Sequence, residues 1–200
     1  MARKSRVVCG VGVNDADYPL SVYQEVSGVN KRVWICPYYQ KWKNMLVRCY
    51  NKISLGANPT YEGCKVSDEW LTFSNFKAWM EVQDWDGKHL DKDILVVGNK
   101  EYSEDRCVFI SQELNSFMND HKRRSGSYMV GVYLDKPSGL FKAQCCDPLT
   151  KVRKFLGYHH EEINAHLAWK AYKHSMALLL VESEDITDTR VAEALKVRYL

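Results

Sequence analysis

No apolar run in this 200-residue chain reaches the roughly 18 residues that a membrane-spanning helix requires, which speaks against such a span. Cysteine pairs at C-x-x-C spacing are missing too, and with them the usual signature of a structural zinc site. The seven cysteines are odd in number and follow no paired framework, so a disulfide-built secreted domain is not expected and a reducing compartment fits better. The opening "MARKSRVVCGVG" has basic residues but no apolar h-region and no small-residue cleavage site, so it does not read as a signal peptide. Neither an internal repeat nor a low-complexity tract is found. What remains is a chain with 46% apolar and aromatic residues, enough for a packed core and too much for general disorder. The expectation is a soluble intracellular protein.

The net charge of +3 says little, but its distribution says more. Residues 126–181 carry seven Lys and Arg against four acids, and residues 182–200 reverse this with five acids against three bases. A locally basic stretch is an electrostatic footprint for phosphates. Along the chain, residues 1–37 read as irregular, with "VVCGVGV" a short strand and "NDADYP" a turn. In "YYQKWKNMLVRCYN", Tyr39, Trp42, Leu46, Cys49 and Tyr50 recur at helical spacing, while Lys41, Lys43, Arg48 and the following Lys52 crowd the other faces. "SDEWLTFSNFKAWMEV" gives a second helix, with Ser67-Asp68 or Ser74 as N-cap. The aromatic stripe Trp42, Tyr50, Trp70, Phe73, Phe76 and Trp79 is expected to form a small helical core.

Next come a strand, a loop, the strand "CVFIS" and a helix from about Gln112, then a basic linker "HKRRSGS" at residues 121–127. Residues 128–181 give three strands, in "YMVGVYLD", "LFKAQCCD" and "KVRKFLGY", and one long helix with Ile163, Leu167, Trp169 and Ala171 available to the sheet. A last helix starts from a Thr187 or Asp188 cap. The fold class is therefore α+β. Its segments are an irregular 1–37, a helical region with a strand–loop–strand–helix unit over 38–124, a three-stranded sheet with a helix over 128–181, and a terminal helix in 182–200.

Four fragments in order, "YYQKWKNMLVRCYN", "TYEGCKVSDEWLTFSNFKAWM", "LDKDILVVGNKEYSEDRCVFIS" and "GVYLDKPSGLFKAQ…FLGYHHEEINAHLAW", resemble the phage-encoded HNH endonuclease-like proteins that carry an ethylene-response-factor-type (APETALA-like) DNA-binding domain at the C-terminus. The resemblance spans roughly residues 38–181. It implies a cytoplasmic place in a bacterial host cell, a ββα-metal unit, and Mg²⁺ or Mn²⁺ as cofactor for cleavage or nicking of DNA. In such chemistry the ion polarises the scissile phosphate while a base activates water. Mapped onto this chain, Asp91 is the strand ligand and Asn115 or Asn119 the helix ligand, oxygen donors that suit a hard ion. Asn115 and Asn119 stand four apart and share a helix face.

Two letters of the motif are altered. Lys92 stands where the general-base histidine belongs, and Arg106 where many relatives have the loop-bracing asparagine. A lysine is a cation at neutral pH, suited to steadying a phosphate and poor at accepting a proton. Substitute bases are His89, which would alternate with Asp91 and Asp93 onto one strand face, and His121 beyond the helix. The bland reading of Asp91, Lys92 and Asp93 is a charged strand end held by a salt bridge.

In the C-terminal segment, alternation turns Val132, Leu134, Ala143 and Leu156 toward the helix and Tyr133, Lys142, Gln144, Arg153 and Phe155 outward. The resemblance implies that this outward set lies in the major groove of double-stranded DNA. Arg153 or Lys142 would meet phosphate or guanine, Gln144 adenine, and the two rings sugar or thymine methyl. Two functions are thus expected: a metal-dependent DNA endonuclease, or a catalytically silent DNA-binding regulator or binder of a host protein, with the acidic 182–200 stretch as one contact.

Overall fold

A computed structural model describes residues 6–120, 127–182 and 186–200. His121 and most of the linker 121–127 lie outside the described residues. The architecture is mixed, with six α-helices and five small sheets among the described residues. None of those helices is long and apolar enough to cross a membrane. The chain divides into two compact units, Met1–Ile110 and Ser111–Leu200.

The first unit begins with two hairpins, the first on the "VVCGVGV" stretch read as a short strand and the second where the sequence suggested irregular chain. They are β1 (Arg6–Val8) with β2 (Gly12–Asn14), and β3 (Ser21–Val26) with β4 (Val29–Ile35). The second hairpin escapes alternation analysis because apolar residues lie on both its faces and a bulge between Val22 and Tyr23 breaks the period. Helix α1 (Pro37–Tyr50) follows, started by a proline whose missing N–H costs nothing at that position. It buries Trp42, Met45, Leu46 and Cys49. Then come a short α2 (Lys52–Ala57) and α3 (Phe73–Glu81).

The aromatic stripe is the core of this unit. Trp70 and Trp79 have ring centroids 4.4 Å apart, Trp79 stacks on Phe109 at 5.6 Å, and the Trp42 indole N–H donates to the Trp70 carbonyl at 2.7 Å. Each fully buried ring of this kind stabilises the fold by about 1.5–3 kcal/mol. The N-cap of α3 is Thr72, which makes no side-chain cap bond, rather than Ser67, Asp68 or Ser74. Asp15, from the "NDADYP" turn, supplies the carboxylate instead, accepting from the Ser74 N–H at 3.0 Å and from its hydroxyl. A cap 59 residues away in sequence is invisible to local pattern reading. The unit closes with the short parallel pair β5 (Lys65–Val66) and β7 (Glu101–Tyr102) and the antiparallel pair β6 (His89–Asp91) and β8 (Val108–Ile110).

The second unit holds α4 (Gln112–Met118), the antiparallel sheet β9 (Val132–Asp135), β10 (Leu140–Cys146) and β11 (Arg153–His159) with β10 central, then α5 (Glu162–Glu182) and α6 (Thr189–Arg198). Ser111 caps α4 by accepting from the Leu114 N–H, and Asp188 caps α6 by accepting from the Arg190 N–H. The helix α5 packs across the sheet with Ala165, Trp169, Lys173 and Ala177 buried, an i, i+4 stripe. Ile163 and Leu167, expected on the sheet, are about half exposed, as is Ala171's side of the helix. Where the helix lies against the strands the buried residue is a small one, Ala165. Val132, Ala143 and Ala165 are fully covered together, with Leu156 beside them, whereas Leu134 at the strand end is exposed.

Gly131 is where this closeness is most severe. It has φ +81°, and a Cβ there would come within 2.1 Å of Trp169 Cγ. Gly131→Ala combines a left-handed backbone with overpacking, so it is expected to lower stability by about 2–3 kcal/mol. Urea unfolding measures this, and an unchanged midpoint would mean that Trp169 has room to move.

Candidate functional site

Two places in the chain carry the residues singled out by sequence. In the first unit, β6 exposes His89 and Asp91 partly on one side while Leu90 is buried on the other. The strand ends at Asp91, so Asp93 does not continue the alternation. The Asp91 carboxylate folds the chain into a turn instead, its Oδ1 accepting from the Asp93 N–H at 2.8 Å and the Ile94 N–H at 2.7 Å. Burial pushes the Asp91 carboxyl above the usual carboxylate range, against the pull of those two N–H groups.

Lys92 points inward. It is 5% exposed, and its ammonium donates to the Asn99 carbonyl at 2.7 Å and to Asp93 Oδ1 at 2.6 Å. Asn99 answers from across the loop. Its amide donates to the Lys92 carbonyl at 2.8 Å and the Glu101 carbonyl at 2.7 Å, while its Oδ1 accepts from the Glu101 N–H at 3.0 Å. Loop bracing, which sequence reading sought at position 106, is therefore performed by Asn99. Arg106 is half-exposed and pairs with Glu101 at 2.9 Å. Lys92 is enclosed and committed to the fold.

Asp91 belongs to the first unit, and Asn115 and Asn119 to the second. Asn115 lies within α4 and Asn119 is its C-cap, the Asn119 amide reaching Asn115 Oδ1 at 3.4 Å. A hard divalent ion needs several free oxygen donors converging on one point. In the first unit Asp91 spends Oδ1 on the turn and Asp93 is bound by the Lys92 cation. Among the described residues no three His, Cys, Asp or Glu side chains gather to hold a metal. The donors of the first unit alone do not make a site for Mg²⁺ or Mn²⁺.

The second place is the face of the three-stranded sheet turned away from α5. Register puts Tyr133 opposite Lys142 and Lys142 opposite Tyr158, with Gln144 opposite Phe155 and Cys146 opposite Arg153. Directly opposed residues share a face, so Tyr133, Lys142, Gln144, Arg153 and Phe155 come together. Tyr158 joins them, a residue that sequence reasoning missed. The cause is the irregularity between Ala143 and Gln144, which shifts the pairing and lets both Phe155 and Tyr158 emerge on the same side. The signal was Gly157, a glycine inside a strand run, which here adopts φ +113°.

On this face the Phe155 and Tyr158 rings meet edge to face at 5.1 Å, each about half exposed (51% and 49%), and the Lys142 ammonium stands 5.7 Å from the Phe155 ring centre. A cleft of about 530 Å³ opens beside Tyr133 and Gln144, bounded by α4 residues Gln112 and Ser116 and floored by Trp169 and Lys173. Lys173 was counted with the basic patch, but it is buried: it donates to the Phe117 carbonyl and pairs with Asp120 at 2.9 Å. Burial lowers its pKa, and Asp120 opposes that shift. The surface charge of the face thus rests on Lys142, Lys151 and Arg153. The 182–200 stretch is likewise engaged, with Val191, Leu195 and Tyr199 of α6 and its end buried.

The chain matches no protein-family model, no curated protein and no solved structure.

Because Lys92 is enclosed and bonded at both ends, Lys92→Ala is expected to lower stability by about 2–4 kcal/mol. Arg106→Ala, at a half-exposed pair, should change it by less than about 1 kcal/mol. Equal effects in urea unfolding would refute the buried brace. A second expectation concerns pH. Asp91 has a folded pKa above its unfolded value, so its contribution is favourable below the unfolded pKa and is lost as pH rises through the folded pKa. Asp91→Asn keeps an oxygen for the turn, so its stability relative to the native protein should be greatest at neutral pH and shrink on acidification. Thermal unfolding of both proteins from neutral to mildly acidic pH tests the sign.

Proposed function

We propose that this chain binds double-stranded DNA through the outer face of its C-terminal sheet, in the manner of an ethylene-response-factor-type domain. On the same reading, the Asp91–Asn99 loop is an HNH-like element retained as scaffold. The observation that carries the proposal is the shared register of Tyr133, Lys142, Gln144, Phe155, Tyr158 and Arg153 on one open sheet face. Cations for phosphate, an amide able to pair with adenine and rings for thymine methyl and sugar are the chemistry that a groove-binding surface needs. The enclosed Lys92 supports the silent form of the nuclease-like unit, since a cation spent on the Asn99 carbonyl and Asp93 neither accepts a proton nor meets substrate.

A second reading is favoured by one observation, the side-by-side emergence of His89 and Asp91 from β6. In that reading the chain is a phage-type HNH nuclease using Mg²⁺ or Mn²⁺, with His89 in place of the lost base. Supercoiled plasmid separates the two. Gel shift should be retained and lost with rising salt, without conversion to open circle under Mg²⁺ or Mn²⁺. Arg153→Ala with Lys142→Ala should weaken binding at least tenfold. Open circle formed by the native protein and not by Asp91→Ala would establish the nuclease instead. Plasmid left unshifted at low salt would redirect attention to a host protein as partner.

A further inference from the structure

Two hollows adjoin at one end of the C-terminal sheet, both within the second unit. The ladder between β10 and β9 stops at Ala143, so the last residues of β10 keep β11 on one side and have no strand on the other. The larger hollow, the cleft of about 530 Å³, opens on that unpaired side, with α4 as its far wall. The smaller, of about 300 Å³, lies on the outer face of the sheet and reaches Arg153. Tyr133, Gln144 and Lys151 line both, so the two are parts of one depression. Small-ligand pockets run from roughly 300 to 1,000 Å³, which leaves room here for a ligand of two parts.

The two parts differ in chemistry. The smaller hollow is lined by two cations, Lys151 and Arg153, and by no acid. Among the described residues no carboxylate lies within salt-bridge distance of either. Lys151 is fixed at the rim by its N–H on the Asp147 carbonyl at 3.0 Å, and it holds φ +59°, a conformation that Asn and Gly enter more readily. The larger hollow is lined by the Tyr133 ring, the Gln144 and Gln112 amides and the Ser116 hydroxyl, which accepts from Gln112 at 2.9 Å. Two of its three acids are committed. Asp120 pairs with Lys173 at 2.9 Å, and Asp147 accepts from the Leu149 and Thr150 N–H groups and the Tyr172 hydroxyl. The third, Glu113, is exposed in the first turn of α4. Such a lining suits a flat, uncharged ring with donors and acceptors on its edge. A glutamine amide matches the N6 and N7 edge of adenine, and an aromatic ring stacks on any base.

We propose that the two hollows form one nucleotide site, with the base in the cleft against Tyr133, Gln144 and the α4 wall and the phosphate on Lys151 and Arg153. A phosphate by itself leaves the larger hollow unused, and a phosphotyrosine brings a ring with no edge for the two amides. The ligand chemistry has two sources, a free nucleoside monophosphate or a nucleotide turned out of a DNA strand that lies on the sheet. Turning a nucleotide out costs least where its base is unpaired. The site shares Tyr133, Gln144 and Arg153 with the DNA-binding face, and only the second source rests on the duplex-binding reading.

Calorimetric titration of the full chain with deoxyadenosine monophosphate, deoxyadenosine and inorganic phosphate tests the free source. Fluorescence anisotropy on a labelled duplex, fully paired or carrying a single unpaired adenine, tests the strand source and the duplex reading side by side. Two variants accompany the native protein. Ser116→Trp fills the cleft from an exposed position on α4, and Lys151→Asn removes the cation while keeping a residue suited to the left-handed turn. Thermal midpoints of both should match the native protein and serve as the folding control. The nucleotide should bind about tenfold more tightly than the nucleoside or phosphate, and each variant should weaken it about tenfold. If only the duplex with the unpaired adenine gains affinity over the paired one, and Ser116→Trp erases that gain, the site stands with the strand as its source. Phosphate bound as tightly as the nucleotide would overturn the site, and so would a nucleotide affinity unchanged in Ser116→Trp. Absence of both nucleotide binding and a preference for the unpaired base would overturn it too. In each of these cases, paired duplex bound equally by native protein and Ser116→Trp leaves the sheet reading standing. A chain that binds the nucleotide and no duplex supports the site and overturns the sheet reading.

Discussion

The loop between β6 and β8 is closed by a reciprocal clasp: the Lys92 ammonium bonds the Asn99 carbonyl, and the Asn99 amide bonds the Lys92 carbonyl. Burying a charge is costly unless every donor finds an acceptor, and here the cost is offset by Asp93 and by the loop's own backbone. The clasp fixes where β7 leaves to pair with β5 and where Glu101 can receive Lys65 and Arg106. It also decides where the lysine points. A cation that holds the loop together from inside is committed to the Asn99 carbonyl and Asp93, on the inner side of the strand pair.

The second unit solves a different problem, bringing a long helix close to a small sheet. Small residues do this at Ala143 and Ala165, with Gly131 yielding to the Trp169 ring. The helix side is thereby closely packed around Ala143 and Ala165, and the strands' other side is left to the long side chains. Lys173 is the charged exception on that side, held among the Phe117, Tyr199 and Trp169 rings. Its ammonium is satisfied by Asp120 and the end of α4, so it ties three segments of the unit at one point.

What could be read in advance follows from the range of the interactions. Helical spacing of Trp42, Leu46 and Cys49 and the aromatic core needed only neighbours a turn apart, and local pattern was enough. The sheet's outward residues were legible for the same reason, since alternation is a two-residue rule. Where a bulge changed the count, Tyr158 was lost. Reading failed wherever a distant partner set the outcome. Asp15 caps a helix far along the chain, and Asn99 braces the loop from a position that spacing did not single out. Lys173 looked like a surface cation until its partners were known. The hairpin of β3 and β4 was missed for the opposite reason: with no core to face, its apolar residues have no period to reveal.

That hairpin has a cost of its own. A strand pair with two open edges is a template on which any extended chain can add itself, and Val22, Val26, Val29 and Trp34 make the template adhesive. Charge in the middle of β4 is what natural sheets use to discourage such growth. Lys31 and Arg32 stand where such charge works against edge-to-edge growth, so the hairpin's dispersal in water depends on charge and not on a covering element.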